Sequence, residues 1–186
     1  MSRRAAREVA LQILYKADIA GFLPNNSLLE NERSLINERS LINEESPVYE
    51  DVPVHGQDID VERELAYWLE ELGSKNGGKG SKNRGRGALS QENYEFALDL
   101  IRGALDHCCD LDEKINAAAQ EWDLQRMDVV DRNVMRLALF EMLFCPNIPQ
   151  RVSVNEAVEL AKIFCGDDSA KFINGILDRF IFEEER

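Results

Sequence analysis

The segment VMRLALFEMLFC, from Val134 to Cys145, is apolar on nearly every side of a helix. A helix with no polar face is stable only when other elements surround it, so this one is expected at the centre of the fold. Asp128 is placed to cap its start, and Pro146 and Pro149 end it. The rest of the chain supplies covers with one apolar stripe each. Ala6, Val9, Ala10, Ile13, Leu14 and Ala17 make the first, and Val61, Leu65, Trp68, Leu69 and Leu72 the second. Tyr94, Ala97, Leu98, Ile101, Ala104 and Leu105 make a third, and Ile173, Ile176, Leu177 and Phe180 the last. Asp110 with Glu113, and Ser153 with Glu156, have capping-box spacing ahead of two further helices, while Gly166 stops one helix and the run from Asp167 to Ser169 offers caps for the last. No run alternates with period two long enough to make a sheet. Seven helices and an all-α class are expected.

The 186 residues leave room for one helical domain over 1–186 with two flexible insertions, 24–60 and 73–88. The first insertion holds the tandem hexamer NERSLI at 31–36 and 37–42, too short to be a solenoid unit, and residues 24–64 carry a net charge of −8. The second, GSKNGGKGSKNRGRG, has five cations, no acid and no apolar residue, so it cannot offset its ordering entropy by burial. The overall charge of −13 argues against nonspecific coating of nucleic acid, yet screening leaves room for a local basic site. No stretch approaches a membrane span, and the opening MSRRAAREVALQILY lacks the apolar core of a signal peptide, so a cytoplasmic location is expected. Cys108, Cys109, Cys145 and Cys165 form no CxxC pair and read as reduced thiols in helices.

Catalytic chemistry is hard to find. With two histidines and no GxSxG, HExxH, GxGxxG or phosphate-loop motif, neither an enzyme nor a metal or cofactor site is expected. His107, Cys108 and Cys109 would point about 100° apart on a helix, poor geometry for one metal ion. The carboxylates read as solvent-facing or helix-starting groups. One place does break a local rule. Arg3, Arg4 and Arg7 crowd the opening of the first helix, where the macrodipole favours carboxylates, and such an end is a natural receiver of phosphate. Tyr15 falls near Arg4 around the helix, offering a ring for base stacking, the combination that suits single-stranded RNA. A solvated basic end with Tyr15 half in the core is the alternative.

Three blocks carry a resemblance: RRAAREVALQILY, DRNVMRLALFEM, and RVSVNEAVELAKIFCGDDSAKFINGILDRF. In this order they closely resemble the NusB family of transcription antitermination proteins, over roughly residues 2–23 and 61–182. The resemblance implies two packed three-helix bundles plus an additional helix, and no catalysis. It also implies binding to the boxA element of ribosomal RNA leader transcripts together with NusE, a small-subunit ribosomal protein, within an RNA polymerase antitermination complex. Position by position, it assigns Arg3, Arg4, Arg7 and Tyr15 to RNA, with Lys171 and Phe172 beside them. It marks Asp168 as a functionally important acid, and Tyr94 and Asp131 as facing NusE. Ala5 stands where a basic residue is common in the family, which implies weak RNA affinity without the partner. A similar domain precedes a catalytic one in a class of RNA methyltransferases, but no such activity is expected here. The acidic balance supports an alternative, a protein-interaction adaptor with little RNA binding of its own.

Overall fold

A computed structural model describes residues 2–23, 60–67, 90–119 and 124–181. Among these residues there are seven helical segments and no strand: α1 Arg3–Ile19, α2 over 61–67, α3 Gln91–Asp106, α4 Cys108–Ala119, α5 Val129–Phe144, α6 Gln150–Phe164 and α7 Asp167–Leu177. Single 3-10 turns, Leu124–Arg126 and Asp178–Phe180, precede α5 and follow α7. The expected insertions lie outside the described residues except for Asp60, as do Trp68, Leu69 and Leu72. Asp60 belongs to the fold: its carboxylate accepts the Arg63 N–H at 3.0 Å and caps α2.

Short polar side chains start several helices. Ser2 accepts the Ala5 N–H at 3.4 Å, Ser90 the Asn93 N–H at 3.4 Å, and Asp128 the Val130 N–H at 2.8 Å. Each satisfies a donor that has no partner within its own helix. Both expected capping boxes are displaced. The chain turns from α3 into α4 at the single residue His107, whose carbonyl accepts the Leu111 N–H at 3.0 Å, so Asp110 already lies inside the first turn of α4. Pro149, not Ser153, precedes α6; its carbonyl accepts the Val152 and Ser153 N–H groups, which frees the Ser153 and Glu156 side chains for partners on other helices. Between α6 and α7 the chain passes through Gly166 at φ 103°, a left-handed conformation that a side chain would strain. Gly166 itself begins α7, with Asp167 and Asp168 in its first turn rather than acting as caps.

Every residue of α5 from Asp131 to Met142 is buried, as the apolar pattern requires. The helix packs against α1, α3, α4, α6 and α7. α1 packs on α3, and ion pairs from Lys16 to Glu64 and from Arg102 to Glu62 tie α2 to both. α6 and α7 pack on each other and on α5, while α4 leans on α5 and α7. The result is two three-helix groups, α1–α3 and α5–α7, joined across the central helix with α4 as the additional element. Leu100, Ile101, Leu111, Ile115, Met135, Leu139, Leu160 and Ile173 are fully buried among them. Each such side chain contributes about 1.5–3 kcal/mol relative to exposure.

α3 approaches α5 closely at Gly103. A Cβ built on Gly103 would stand 1.8 Å from the Phe140 ring, which itself stacks against Phe144 with centroids 5.2 Å apart. His107 stacks beside both rings, with centroids 4.1 Å from Phe144 and 6.0 Å from Phe140, so the Phe140 ring has little room to move aside. Gly103→Ala is therefore expected to destabilise the fold by about 1–3 kcal/mol despite the better helix propensity of alanine. Urea denaturation measures the loss, and combining it with Phe140→Leu should recover part of it; an unchanged midpoint in the single variant would remove Gly103 from the packing argument.

Candidate nucleic-acid interface

The three arginines at the start of α1 meet three carboxylates from other helices. Arg3 donates to Glu92 of α3 at 3.2 Å. Arg4 donates through Nε and Nη2 to Glu156 of α6, at 3.0 and 2.9 Å. Arg7 makes the same two-pronged contact with Glu141 of α5, at 2.8 and 2.9 Å, and the Ser153 hydroxyl donates to the same carboxylate. The guanidinium groups of Arg3 and Arg7, one turn apart, lie 5.1 and 5.2 Å from the centroid of the Phe96 ring, close enough for cation–π attraction. The cations that looked unfavourable beside the helix dipole are thus compensated by carboxylates distant in sequence.

Exposure separates the three. Arg3 and Arg4 keep nearly half of their side chains in solvent, 49% and 43%. Arg7, expected to bind RNA with Arg3 and Arg4, is only 6% exposed, and its fork is filled by Glu141. It spans α1 and α5 as an internal anchor beneath the arginines that face outward. Glu141 and Ser153, absent from the sequence-level candidates, complete that anchor.

Tyr15 is 38% exposed. It stands eleven residues beyond Arg4, about 16 Å along the helix at 1.5 Å per residue, so one nucleotide cannot touch both. At that end of the molecule Asp18 of α1 binds Arg132 near the start of α5, and Asp131 of α5 accepts the Ser169 hydroxyl of α7 at 3.0 Å. These contacts bring the end of α1 and the start of α7 to the same end of α5, so Tyr15 shares that end with Asp168, Lys171 and Phe172. Lys171 and Asp168 are exposed and paired with each other at 3.0 Å. Phe172 is half-buried against the core, as is Tyr94. Asp131 is buried, and its second oxygen, Oδ1, has no hydrogen-bond partner. Burial, with Asp131 nearby, pushes the Cys165 thiol up to about 12, so it remains protonated. Among the described residues no cluster of three potential metal ligands occurs, and no helix is long and apolar enough to cross a membrane.

A model of the NusB family matches residues 48–182. The chain belongs to the NusB family. It is 53% identical over 181 residues to the transcription antitermination protein NusB of Desulforamulus reducens, covering 97% of this chain and 90% of that one. The NusB of Pelotomaculum thermopropionicum is 34% identical over 185 residues, 100% of this chain and 92% of the relative. Among solved structures, T. maritima NusB has a TM-score of 0.62 at 28% identity, over 98% of this chain and 92% of its own. A chain from the crystal structure of NusB and NusE in complex with double-stranded RNA has a TM-score of 0.59 at 20% identity, over 96% and 95%, and shares the fold.

Arg132, Asn133 and Arg136 of the block DRNVMRLALFEM form a buried charged cluster with Asp18 of α1 and Asp112 of α4. Arg132 donates to both oxygens of Asp18, at 2.7 and 2.6 Å. Arg136 donates to both oxygens of Asp112 of α4, at 2.6 and 2.8 Å, and reaches Asp18 at 2.7 Å. Asn133 donates to Asp18 at 2.8 Å and accepts from Arg136 at 3.0 Å, and the Cys108 thiol faces Asp112 at 3.8 Å. Burial pushes that thiol up to about 12. Two cations and two anions balance, which is what makes their burial tolerable. Expecting the acids to face solvent misses Asp18, Asp112 and Glu141; the available signal was Arg132 and Arg136, one turn apart on a helix otherwise surrounded by core.

Burial alone raises the Asp18 carboxyl, but hydrogen bonding from Arg132, the charges of Arg136 and Arg132, and Asn133 outweigh it and leave its pKa below the ordinary 3.8. A group depressed in the folded state stabilises fully above its unfolded value, about 3.9, and loses that contribution as pH falls through the lower folded value. Asp18→Asn is expected to cost about 3–5 kcal/mol at neutral pH, because two buried guanidinium groups lose a shared counter-charge. Urea unfolding followed by circular dichroism from pH 7 to pH 2 should show the wild-type midpoint falling in acid more steeply than the variant's. Parallel curves would show that this pair does not govern acid stability.

Proposed function

We propose that the protein is a noncatalytic, RNA-binding transcription antitermination factor that binds the boxA element of ribosomal RNA leader transcripts together with NusE, as part of an RNA polymerase antitermination complex. The observation that carries this reading is the pair of half-exposed guanidinium groups, Arg3 and Arg4, presented at the positive end of α1 with the Tyr15 ring further along the same helix. The solved NusB and NusE complex with double-stranded RNA has this fold, which supports both partners. A strand running along α1 would meet phosphate-binding cations first and a stacking ring several nucleotides later, then Lys171 and Phe172 at the far end. Arg7 acts beneath this surface by fixing α1 to α5. Tyr94 and Asp131 are assigned to the NusE side, Asp131 through its hold on Ser169 and the start of α7 rather than by direct contact.

The alternative is an acidic interaction adaptor with little intrinsic RNA binding. One observation favours it: each arginine at the tip already has a carboxylate partner, within a chain of net charge −13. Basic ribosomal proteins would be steered to such a surface.

Titration of a boxA RNA against a scrambled one, with and without NusE, separates the two. Specific binding that NusE strengthens supports the RNA-binding factor; NusE capture that survives ribonuclease, with no RNA binding in its presence, supports the adaptor. Arg4→Gln is expected to weaken boxA binding and reduce the salt slope by roughly one unit for the lost phosphate contact. Tyr15→Ala should cost about 1–3 kcal/mol of binding if a base stacks there. Unaltered affinity in both variants would move the RNA surface off α1.

A further inference from the structure

The tip of α1 is electrically balanced. Its three guanidinium groups stand against Glu92, Glu141 and Glu156, so an approaching phosphate meets little net positive potential. The three pairs differ in how readily they open. Arg7 and Glu141 are both sealed in the core, with Ser153 on the same carboxylate. Arg3 and Glu92 touch through a single bond at the surface, a kind of pair that gives way easily. Arg4 and Glu156 lie between these extremes. Arg4 is half-exposed, whereas Glu156 is mostly covered and held in place, with Oε2 also 3.8 Å from Arg7 Nη1.

A carboxylate gripping Nε and Nη2 of an arginine occupies the fork that a phosphate would use. The hydrogen bond from Arg4 holds the Glu156 carboxyl below its ordinary range, so it is ionised at neutral pH. Glu8 and Glu159 add to the negative field at Arg4, and Lys162 is engaged with Glu159. On α6, Lys162 is thus held by Glu159 rather than by Glu156.

We propose that Glu156 is an internal phosphate surrogate: it occupies the Arg4 fork in the free protein, RNA must displace it, and its charge sets how tightly α1 binds RNA. The inference rests on the RNA-binding reading above. Glu92 plays the same part for Arg3, more weakly.

The test is a set of anisotropy titrations of a labelled boxA RNA, with NusE present, at low and at physiological salt. The proteins are the full-length wild type, Glu156→Gln, Arg4→Gln and the double variant. Glutamine keeps the shape and one acceptor for Arg4 while removing the charge. Glu156→Gln is expected to bind roughly threefold to tenfold tighter at low salt. The gain should shrink as salt screens the repulsion and vanish when Arg4 is already glutamine. Equal or weaker binding by Glu156→Gln, a gain indifferent to salt, or a gain that persists without Arg4 would each overturn the inference. Should Glu156→Gln lose its helical circular dichroism, Glu92→Gln takes its place, with a smaller gain expected and none overturning the idea. Wild-type binding without a gain defeats the inference alone; no binding by any of the proteins defeats the RNA-binding reading with it.

Discussion

The structure depends on burying α5, a helix that is apolar enough to sit at the centre yet carries Asp131, Arg132, Asn133, Arg136 and Glu141 into the core with it. An uncompensated charge there would be prohibitively costly, so the surrounding helices must deliver partners at fixed places. Asp18 and Asp112 meet the arginines near its start, and Arg7 with Ser153 meets Glu141 near its end. Hydrophobic burial supplies the driving force, while these pairs restrict the register in which α1, α4 and α6 can dock. A slide of α1 by one turn would part Asp18 from Arg132 and Arg7 from Glu141, leaving Glu141 with Ser153 alone.

The same requirement shapes the candidate RNA surface. Because Arg7 and Asp18 fix both ends of α1 to α5, the outward face of α1 is rigid, and Arg3, Arg4 and Tyr15 are presented from a preorganised element. Preorganisation lowers the ordering cost of binding. The anchoring chemistry and the presenting chemistry use the same residue type on adjacent turns of the helix. What distinguishes Arg7 from Arg4 is direction alone: one guanidinium points to the central helix and the other to the rim beside α6.

The fold was largely legible in the chain. Periodic stripes such as Ala6, Val9, Ala10 and Ile13 face the core because a helix buries residues three and four apart, and VMRLALFEMLFC lies at the centre for want of a polar side. Cap assignments were less secure. Ser153 and Glu156 have the spacing of a capping box but lie inside α6, because a serine and a glutamate three apart serve equally well as tertiary partners when another helix passes close by. The site was only partly legible. Spacing drew attention to three arginines but could not tell which one was buried, since Arg4 and Arg7 differ by only three positions and both lie beside the apolar stripe.

Sequence alone determined the helical class, the central helix and the concentration of cations at the opening of α1, because these follow from local periodicity and charge order. Tertiary structure alone decided what each charge meets. Glu92, Glu141 and Glu156 come to the arginines from positions 89, 134 and 152 residues away. Such pairings depend on how helices cross, which no local pattern encodes. The division of the arginines into one buried anchor and two outward-facing groups is therefore a property of the packed fold.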